Sequence, residues 1–137
     1  MSPTDKIRVL VVDDSALVRT VITRVLKRDP SIEVVGSAAH AYEARDRILE
    51  LQPNVITLDI EMPRMDGITF LRILMKHHPV AVVIVRVLTQ EGSAKAFEAM
   101  EAGAMEVMGK PANTSRMPEF EQELLHKFKS AAVARLR

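Results

Sequence analysis

Residues 7–15 read Ile-Arg-Val-Leu-Val-Val-Asp-Asp-Ser, and this stretch decides the fold. Its first six residues are almost all apolar, which is typical of a short strand that is covered on both faces of a sheet. Ser15 can cap a helix, because apolar residues recur after it at steps of three and four, at Leu17, Val18, Val21, Ile22, Val25 and Leu26. Asp29-Pro30 ends that helix, since the residue before a proline disfavours the α region.

The same pairing of a buried strand with a helix recurs four more times along the chain. Further strands are predicted at 32–36, 55–58, 81–88 and 104–108, and further helices at 41–51, 66–76, 92–102 and 118–136, with a loop over 111–115. Strict alternation favours parallel strands joined by right-handed crossovers. We therefore expect one α/β domain over residues 1–137, with a five-stranded, doubly wound parallel sheet of the (βα)5 kind.

Composition excludes several classes of function. The chain has 137 residues, and Lys+Arg 19 against Asp+Glu 18 gives a net charge of +1, which offers no basic surface for a nucleic acid or a membrane. It contains no cysteine, so disulfides, thiolate zinc sites and cysteine nucleophiles are excluded. No apolar run has the length of a membrane span, and the first residues lack the pattern of a signal peptide. We expect a cytoplasmic protein.

Charged residues follow three of the predicted strands. Asp13 and Asp14 follow strand 1, Asp59 follows strand 3 and Lys110 follows strand 5. The carboxyl ends of strands are where sites form in open α/β sheets. Clustered carboxylates favour Mg²⁺, which keeps part of its water shell, and a lysine can contact a phosphoryl group. Asp59 is the better nucleophile for forming an acyl phosphate, because the adjacent pair Asp13 and Asp14 suits a metal.

Each of these residues also has a purely structural interpretation. Asp-Asp-Ser after a strand is often only a helix cap, and a single aspartate at a strand end is mostly a turn residue. The joint occurrence of three acids and a lysine at the ends of strands 1, 3 and 5 favours a site. Two other classes fit less well. Aspartyl-phosphate phosphatases place their nucleophile after strand 1 with a second aspartate two residues on, whereas Asp13 and Asp14 are adjacent. A flavodoxin-like flavin-binding protein has the same topology, but two aspartates after strand 1 would repel the phosphate of the flavin.

Three motifs contain these charged residues: Val11-Val12-Asp13-Asp14-Ser15, Leu58-Asp59-Ile60-Glu61-Met62-Pro63-Arg64-Met65-Asp66-Gly67 and Gly109-Lys110-Pro111. With them the chain resembles, over essentially its whole length, the receiver domain of two-component response regulators. The resemblance implies a flavodoxin-like fold in which Asp59 accepts a phosphoryl group from a histidine kinase. It also implies that Asp13 or Asp14, Asp59 and the backbone of Glu61 coordinate Mg²⁺, and that Lys110 contacts the phosphate.

Among receivers, the chain looks most like the one at the front of chemotaxis protein-glutamate methylesterases. Further stretches support this subgroup: Ala16-Leu17-Val18-Arg19, Ala44-Arg45-Asp46, Thr57-Leu58, Phe70-Leu71 and Leu88-Thr89. In the subgroup the receiver covers a C-terminal esterase, and phosphorylation relieves the inhibition. The sequence has no Gly-x-Ser-x-Gly and ends inside its last helix, so we expect an excised receiver or a single-domain relative without enzyme activity beyond its own phosphorylation.

Two positions depart from the pattern of the family. Receivers usually carry Ser or Thr where this chain has Arg86, and an aromatic residue where it has Val107, so the usual hydroxyl and aromatic switch cannot operate here. Thr89 is a possible substitute hydroxyl. Arg86 has two interpretations: it pairs with Asp59, or it points away along the predicted helix at 92–102 or at 118–136 with its head in water.

These departures leave two functions open. The leading hypothesis is a phosphorylation-dependent regulatory domain. Its α4–β5–α5 face, formed by the predicted helix 92–102, strand 104–108 and helix 118–136, would meet a partner domain or a second copy in a homodimer. The alternative is a pseudo-receiver, which keeps the acidic pocket but acts as a constitutive interaction module because Arg86 locks one state. Binding of a phosphoryl analogue together with Mg²⁺ discriminates between them.

Overall fold

Five parallel strands form one sheet in the computed structural model, which describes residues 6–88 and 92–135. The strands are β1 (Ile7–Val12), β2 (Ile32–Ala38), β3 (Val55–Leu58), β4 (Ala81–Arg86) and β5 (Glu106–Gly109). The helices are α1 (Ala16–Leu26), α2 (Ala41–Leu51), α3 (Gly67–His77), α4 (Gly92–Ala102) and α5 (Met117–Arg135), and a short 3-10 helix, Thr114–Arg116, precedes α5. The spatial order is β2-β1-β3-β4-β5. The predicted doubly wound (βα)5 fold is confirmed.

Several predicted element bounds were wrong, among them the end of β2, which runs to Ala38 and not to residue 36. Strand β4 ends at Arg86 and not at residue 88, because its last partner is Gly109 and the next two side chains, Val87 and Leu88, are exposed. Strand β5 begins at Glu106 and not at residue 104, because the turn that closes α4 at Gly103 occupies those positions. The stretch 111–115 was predicted as a loop, but its end forms the start of the 3-10 helix.

Two apolar layers cover the sheet. Alternate residues of the central strands point to opposite faces. One face packs against α2, α3 and α4 through residues such as Leu10, Ile56 and Ile84. The other packs against α1 and α5 through residues such as Val9, Val55 and Val83, which meet Phe128 of α5. Because both faces are covered, the central strands are mostly apolar, and the charged residues of the acidic edge follow the strand ends.

Side-chain caps fix where the helices begin. The hydroxyl of Ser15 accepts from the backbone N–H of Val18 at 3.2 Å, as the sequence predicted for α1. Asp66 caps α3 by accepting from the backbone N–H of Thr69 at 2.9 Å. Ser15 follows the end of β1 by three residues, and Asp66 closes the longer loop that follows β3, so both caps border the loops at the carboxyl ends of these strands. Within the described ranges, no helix combines the length and apolar character needed to cross a bilayer.

Candidate functional site

Three carboxylates meet beyond the ends of β1 and β3. Val12 and Leu58 are register partners, and the backbone N–H of Asp59 donates to the carbonyl of Val12 at 3.1 Å. This pairing places Asp59 beside Asp13, and oxygen atoms of Asp13, Asp14 and Asp59 all lie within 4.8 Å of one another. Asp13 and Asp59 are buried, at 1% and 2% exposure, whereas Asp14 is exposed. The structure brings together the three acids that the sequence singled out.

Lys110 joins this cluster from the end of β5. Its ammonium nitrogen lies 2.8 Å from Oδ2 of Asp13 and 3.4 Å from Oδ1 of Asp59. The backbone N–H of Lys110 donates to the carbonyl of Arg86 at 2.7 Å, which ties the start of this loop to the end of β4. The side chain is only 13% exposed, so water screens these ion pairs weakly. One cation therefore bridges two buried carboxylates.

Hydrogen bonds from α1 hold Asp13 in place. Its Oδ1 accepts from the backbone N–H of Ser15 at 2.9 Å. Arg19 donates from Nη1 to the backbone carbonyl of Asp13 at 2.7 Å, a contact that the sequence analysis missed. Arg19 lies one helical turn after the capping Ser15, and this spacing is the signal that could have indicated it. The orientation of Asp13 is therefore fixed before any ligand binds.

The pKa of Asp59 is raised to about 6, chiefly by burial and next by the negative charge of Asp13, while the nearby Lys110 opposes the shift. A carboxyl group that loses its water shell next to another carboxylate holds its proton more tightly. The charge of Asp59 therefore depends on pH near neutrality.

The first prediction concerns pH. Since Mg²⁺ binds the ionised carboxylates, its affinity for the protein is expected to fall as the pH is lowered through about 6, where Asp59 becomes protonated. Calorimetric Mg²⁺ titrations at about pH 5 and about pH 8 would measure this, with Asp59→Asn as the control whose residual affinity changes much less. An affinity that is equal at both pH values in the unmodified protein would contradict the assignment.

The donor set fits Mg²⁺. All three side chains offer carboxylate oxygens, the atoms that this hard cation prefers, and the exposed Asp14 leaves one side open for the water that Mg²⁺ retains. Oδ1 of Asp59 is buried and lacks a hydrogen-bond donor among the described residues, although the Lys110 ammonium is near. A buried oxygen in this state is stabilised by a cation. The predicted role of the Glu61 backbone stays a prediction, and the Glu61 side chain is exposed.

Thr57 is a buried polar residue that the sequence analysis did not single out. It is 0% exposed, it pairs in register with Val11 and Val83, and its side chain lies on the same face of β3 as Asp59 two residues later. Its hydroxyl has no hydrogen-bond partner in the part of the chain that the structure describes. The signal in the sequence is a single hydroxyl inside a four-residue buried strand.

Removing this hydroxyl gives the second prediction. Thr57→Val keeps the shape of the side chain and removes an unsatisfied polar atom, so the free energy of unfolding should rise by about 1 kcal/mol. Denaturant unfolding measures the change, and Thr20→Val, at an exposed position on α1, is the matched control. A loss of stability in Thr57→Val would mean that the hydroxyl has a partner, such as an internal water.

Two of the three predicted switch positions, Arg86 and Val107, lie on the neighbouring strands β4 and β5. Val107 is half-buried, and its carbonyl accepts from the ammonium of Lys127 at 2.7 Å. Arg86 is 3% exposed, and the described ion pair of Asp59 is made by Lys110. This burial does not fit the interpretation in which the head of Arg86 lies in water, and the pairing of Arg86 with Asp59 stays a prediction. Thr89 lies outside the described residues.

Comparison with known proteins agrees with this geometry. A family model for the response regulator receiver domain matches residues 9–120. The chain belongs to the response regulator receiver domain family. Among solved structures, the response regulator domain of Thermotoga maritima CheB superposes with a TM-score of 0.85 at 42% identity, covering 93% of this chain and 96% of that one. The doubly wound sheet and the acidic edge are therefore those of a receiver domain.

The receiver domain is similar to the corresponding part of larger methylesterases. It is 50% identical over 131 residues to protein-glutamate methylesterase/protein-glutamine glutaminase 2 of Syntrophus aciditrophicus. It is 54% identical over 132 residues to protein-glutamate methylesterase/protein-glutamine glutaminase 4 of Anaeromyxobacter dehalogenans. These matches cover 96% of this chain but only 38% and 37% of the two relatives. The resemblance to the methylesterase subgroup is confirmed for the receiver part alone.

One further solved structure is a CheX–CheY complex from Borrelia burgdorferi that contains BeF3 and Mg²⁺. It superposes on the receiver domain with a TM-score of 0.77 at 25% identity, covering 92% of this chain and 89% of that one. That complex thus combines the same fold with a phosphoryl analogue and a divalent cation.

Proposed function

We propose that Asp59 accepts a phosphoryl group from a histidine kinase and that the phosphorylated receiver regulates a partner in chemotaxis signalling. The observation that carries the proposal is the buried contact of Asp59 with Asp13 and with the ammonium of Lys110 at 3.4 Å. One edge of the sheet would then hold a nucleophilic carboxylate, a pair of acids for the metal and a cation for the incoming phosphoryl group. We place this activity in the cytoplasm, where kinases of this kind act.

The proposed transfer forms one bond and breaks one. A carboxylate oxygen of Asp59 attacks the phosphorus, and the bond from phosphorus to the histidine nitrogen of the donor breaks. That nitrogen keeps the electron pair, and Asp59 becomes an acyl phosphate. Asp13, Asp14 and Asp59 would hold Mg²⁺, which supplies positive charge to the phosphoryl oxygens. Lys110, 3.4 Å from Asp59, would contact the same oxygens, and Ser15 and Arg19 keep Asp13 oriented.

We further propose that the phosphorylated receiver regulates a methylesterase. Sequence similarity to methylesterases over 96% of this chain supports it. The α4–β5–α5 face offers a surface for a partner domain or a second copy, because Phe97 and Met100 of α4 are 65% and 47% exposed. Exposed apolar side chains on one helix are typical of an interaction surface.

Mass spectrometry of the intact chain tests the proposed function. Incubation with acetyl phosphate and Mg²⁺ should add the mass of one phosphoryl group, and a chelator should prevent the addition. Folding is verified by circular dichroism on the same sample. If a folded sample gains no mass and binds no phosphoryl analogue, the pseudo-receiver hypothesis replaces the phosphorylation hypothesis.

A further inference from the structure

A groove separates α2 from α3 on the face of the sheet that these two helices cover together with α4. Its volume is about 330 Å³, within the size range of small-molecule sites in proteins. Four of its lining residues are buried and apolar, and they form its floor: Ala41, Ile48, Phe70 and Leu74. The groove shares no lining residue with the acidic edge or with the α4–β5–α5 face, so the proposed function leaves it unused.

Three large side chains line the opening of the groove and remain exposed to water. Tyr42 and Leu49 of α2 are 42% and 60% exposed, and Ile73 of α3 is 43% exposed. Tyr42 and Leu49 lie about two turns apart on one face of the helix. Contact with an apolar molecule would remove this surface from water, and that removal is favourable. The groove therefore offers an apolar floor and apolar walls to a ligand.

The ionisable groups that line the groove are basic. Arg45 lines it from α2, and His77 and His78 line it from the end of α3, whereas no carboxylate lines it in the part of the chain that the structure describes. The guanidinium carbon of Arg45 lies 5.9 Å from the centroid of the Tyr42 ring, which is a cation–π distance. Asp46 lies 3.4 Å from the same guanidinium, but both side chains are more than half exposed and water screens the pair. The positive charge at the opening thus favours a ligand with a negative group.

The dimensions of the groove suit a small molecule better than a helix of a partner protein. Tyr42 and Leu49 are roughly 10 Å apart along α2, and Met65 lines the groove from the loop that follows β3. A helix with its side chains is itself about 10 Å wide. It would rest on the exposed side chains and leave the floor uncovered, whereas a flat molecule can enter between the two helices and contact Phe70 and Leu74.

We propose that the groove between α2 and α3 binds a small amphipathic anion, an aromatic or alkyl acid whose apolar body lies on the floor and whose acid group contacts Arg45. Burial of the apolar body against Phe70 and Leu74 supplies most of the affinity. The guanidinium adds a charge-assisted contact that selects for the acid. This site does not depend on phosphorylation of Asp59, so the proposal and the proposed function stand or fall separately.

Fluorescence titration with 8-anilinonaphthalene-1-sulfonate tests the proposal, because this probe combines aromatic rings with one sulfonate. The unmodified chain should bind it at a single saturable site. Arg45→Gln should weaken this binding about fivefold, without changing the affinity for N-phenyl-1-naphthylamine, which has the same rings and no sulfonate. Arg47→Gln is the matched control, because Arg47 is an exposed arginine of α2 that pairs with Glu50 and does not line the groove.

A second pair of variants tests the position of the site. Leu49→Asp places a negative charge on the wall of the groove and should weaken binding of the sulfonate about tenfold or more. Phe97→Asp places the same charge on α4, at an apolar residue of similar exposure, and should bind like the unmodified chain. Circular dichroism verifies that each variant is folded.

Methyl NMR spectra locate the bound probe directly. The signals of Ile48 and Ile73 should shift when 8-anilinonaphthalene-1-sulfonate is added, and the signal of Ile22, in the layer on the opposite face of the sheet, should not. The proposal is overturned if the unmodified chain shows no saturable binding. Equal losses in Arg45→Gln and Arg47→Gln, or in Leu49→Asp and Phe97→Asp, would overturn it as well.

Discussion

Asp59→Asn is expected to abolish phosphoryl incorporation from acetyl phosphate and to stabilise the fold at neutral pH. The amide nitrogen and oxygen of asparagine fill the same space but provide no carboxylate to attack phosphorus. Loss of incorporation should be complete, because the neighbouring acids, Asp13 and Asp14, are expected to bind the cation and not the phosphoryl group. Mass spectrometry of the intact protein measures the first effect.

The gain in stability follows from the pKa of Asp59. This pKa is about 6 in the folded chain and near 3.8 in an unfolded one, so the folded state binds the proton more tightly. The ionised carboxylate therefore destabilises the fold above about pH 6, and that loss disappears as the pH falls from 6 toward 4. Asparagine removes the charge at every pH. Its free energy of unfolding at neutral pH should be higher by roughly 1–3 kcal/mol.

Asp14→Asn is the matched control for this substitution. Asp14 belongs to the same cluster but is exposed, so its charge destabilises the fold far less. This variant should still be phosphorylated on Asp59 when Mg²⁺ is raised, with little change in stability. Phosphorylation of Asp59→Asn at the unmodified rate would assign the phosphoacceptor to another residue. Lower stability of Asp59→Asn would show that the ion pair with Lys110 outweighs the effect of burial.

The order of the elements and the convergence of the charged residues could be predicted from sequence because both depend on strand ends. Alternating apolar runs and helices fix a parallel sheet, and the carboxyl ends of parallel strands lie at one edge. Asp13, Asp59 and Lys110 follow β1, β3 and β5, so their meeting needs no knowledge of side-chain packing. The predicted end of β4 was wrong, since apolar pattern alone does not show that pairing stops at Arg86 and Gly109.

Properties that depend on three-dimensional packing could not be predicted. The raised pKa of Asp59 depends on how completely water is excluded around it. The burial of Arg86, which is 3% exposed, depends on neighbouring elements such as β5, where its register partner Gly109 is far from it in the sequence. Similarly, nothing near Thr57 in the sequence shows that its hydroxyl lacks a partner in the described part of the chain.

Gly67→Ala is expected to lower the free energy of unfolding by about 3 kcal/mol or more, or about 10 °C in the melting temperature. Gly67 is the first residue of α3, and its backbone N–H donates to the carbonyl of Ile60 at 2.8 Å, which closes the loop after the phosphoacceptor. A Cβ atom here would lie 2.0 Å from the carbonyl oxygen of Asp59 and 2.9 Å from the Cα of Ile60. Both are backbone atoms, so no side chain can move aside.

The expected loss of stability in Gly67→Ala is opposite in sign to the effect of helix propensity. Alanine in a helix is ordinarily more favourable than glycine by about 1 kcal/mol, so a destabilised variant can only reflect the clash. Gly36→Ala in β2 is the matched control, because its Cβ would meet Leu51 at 2.8 Å, at the flexible end of a side chain. Thermal unfolding should show a small change there and a large one in Gly67→Ala, and equal changes would contradict the explanation. Relief of the clash would displace the backbone of Asp59, so Gly67→Ala should also lose phosphorylation under conditions where it is still folded.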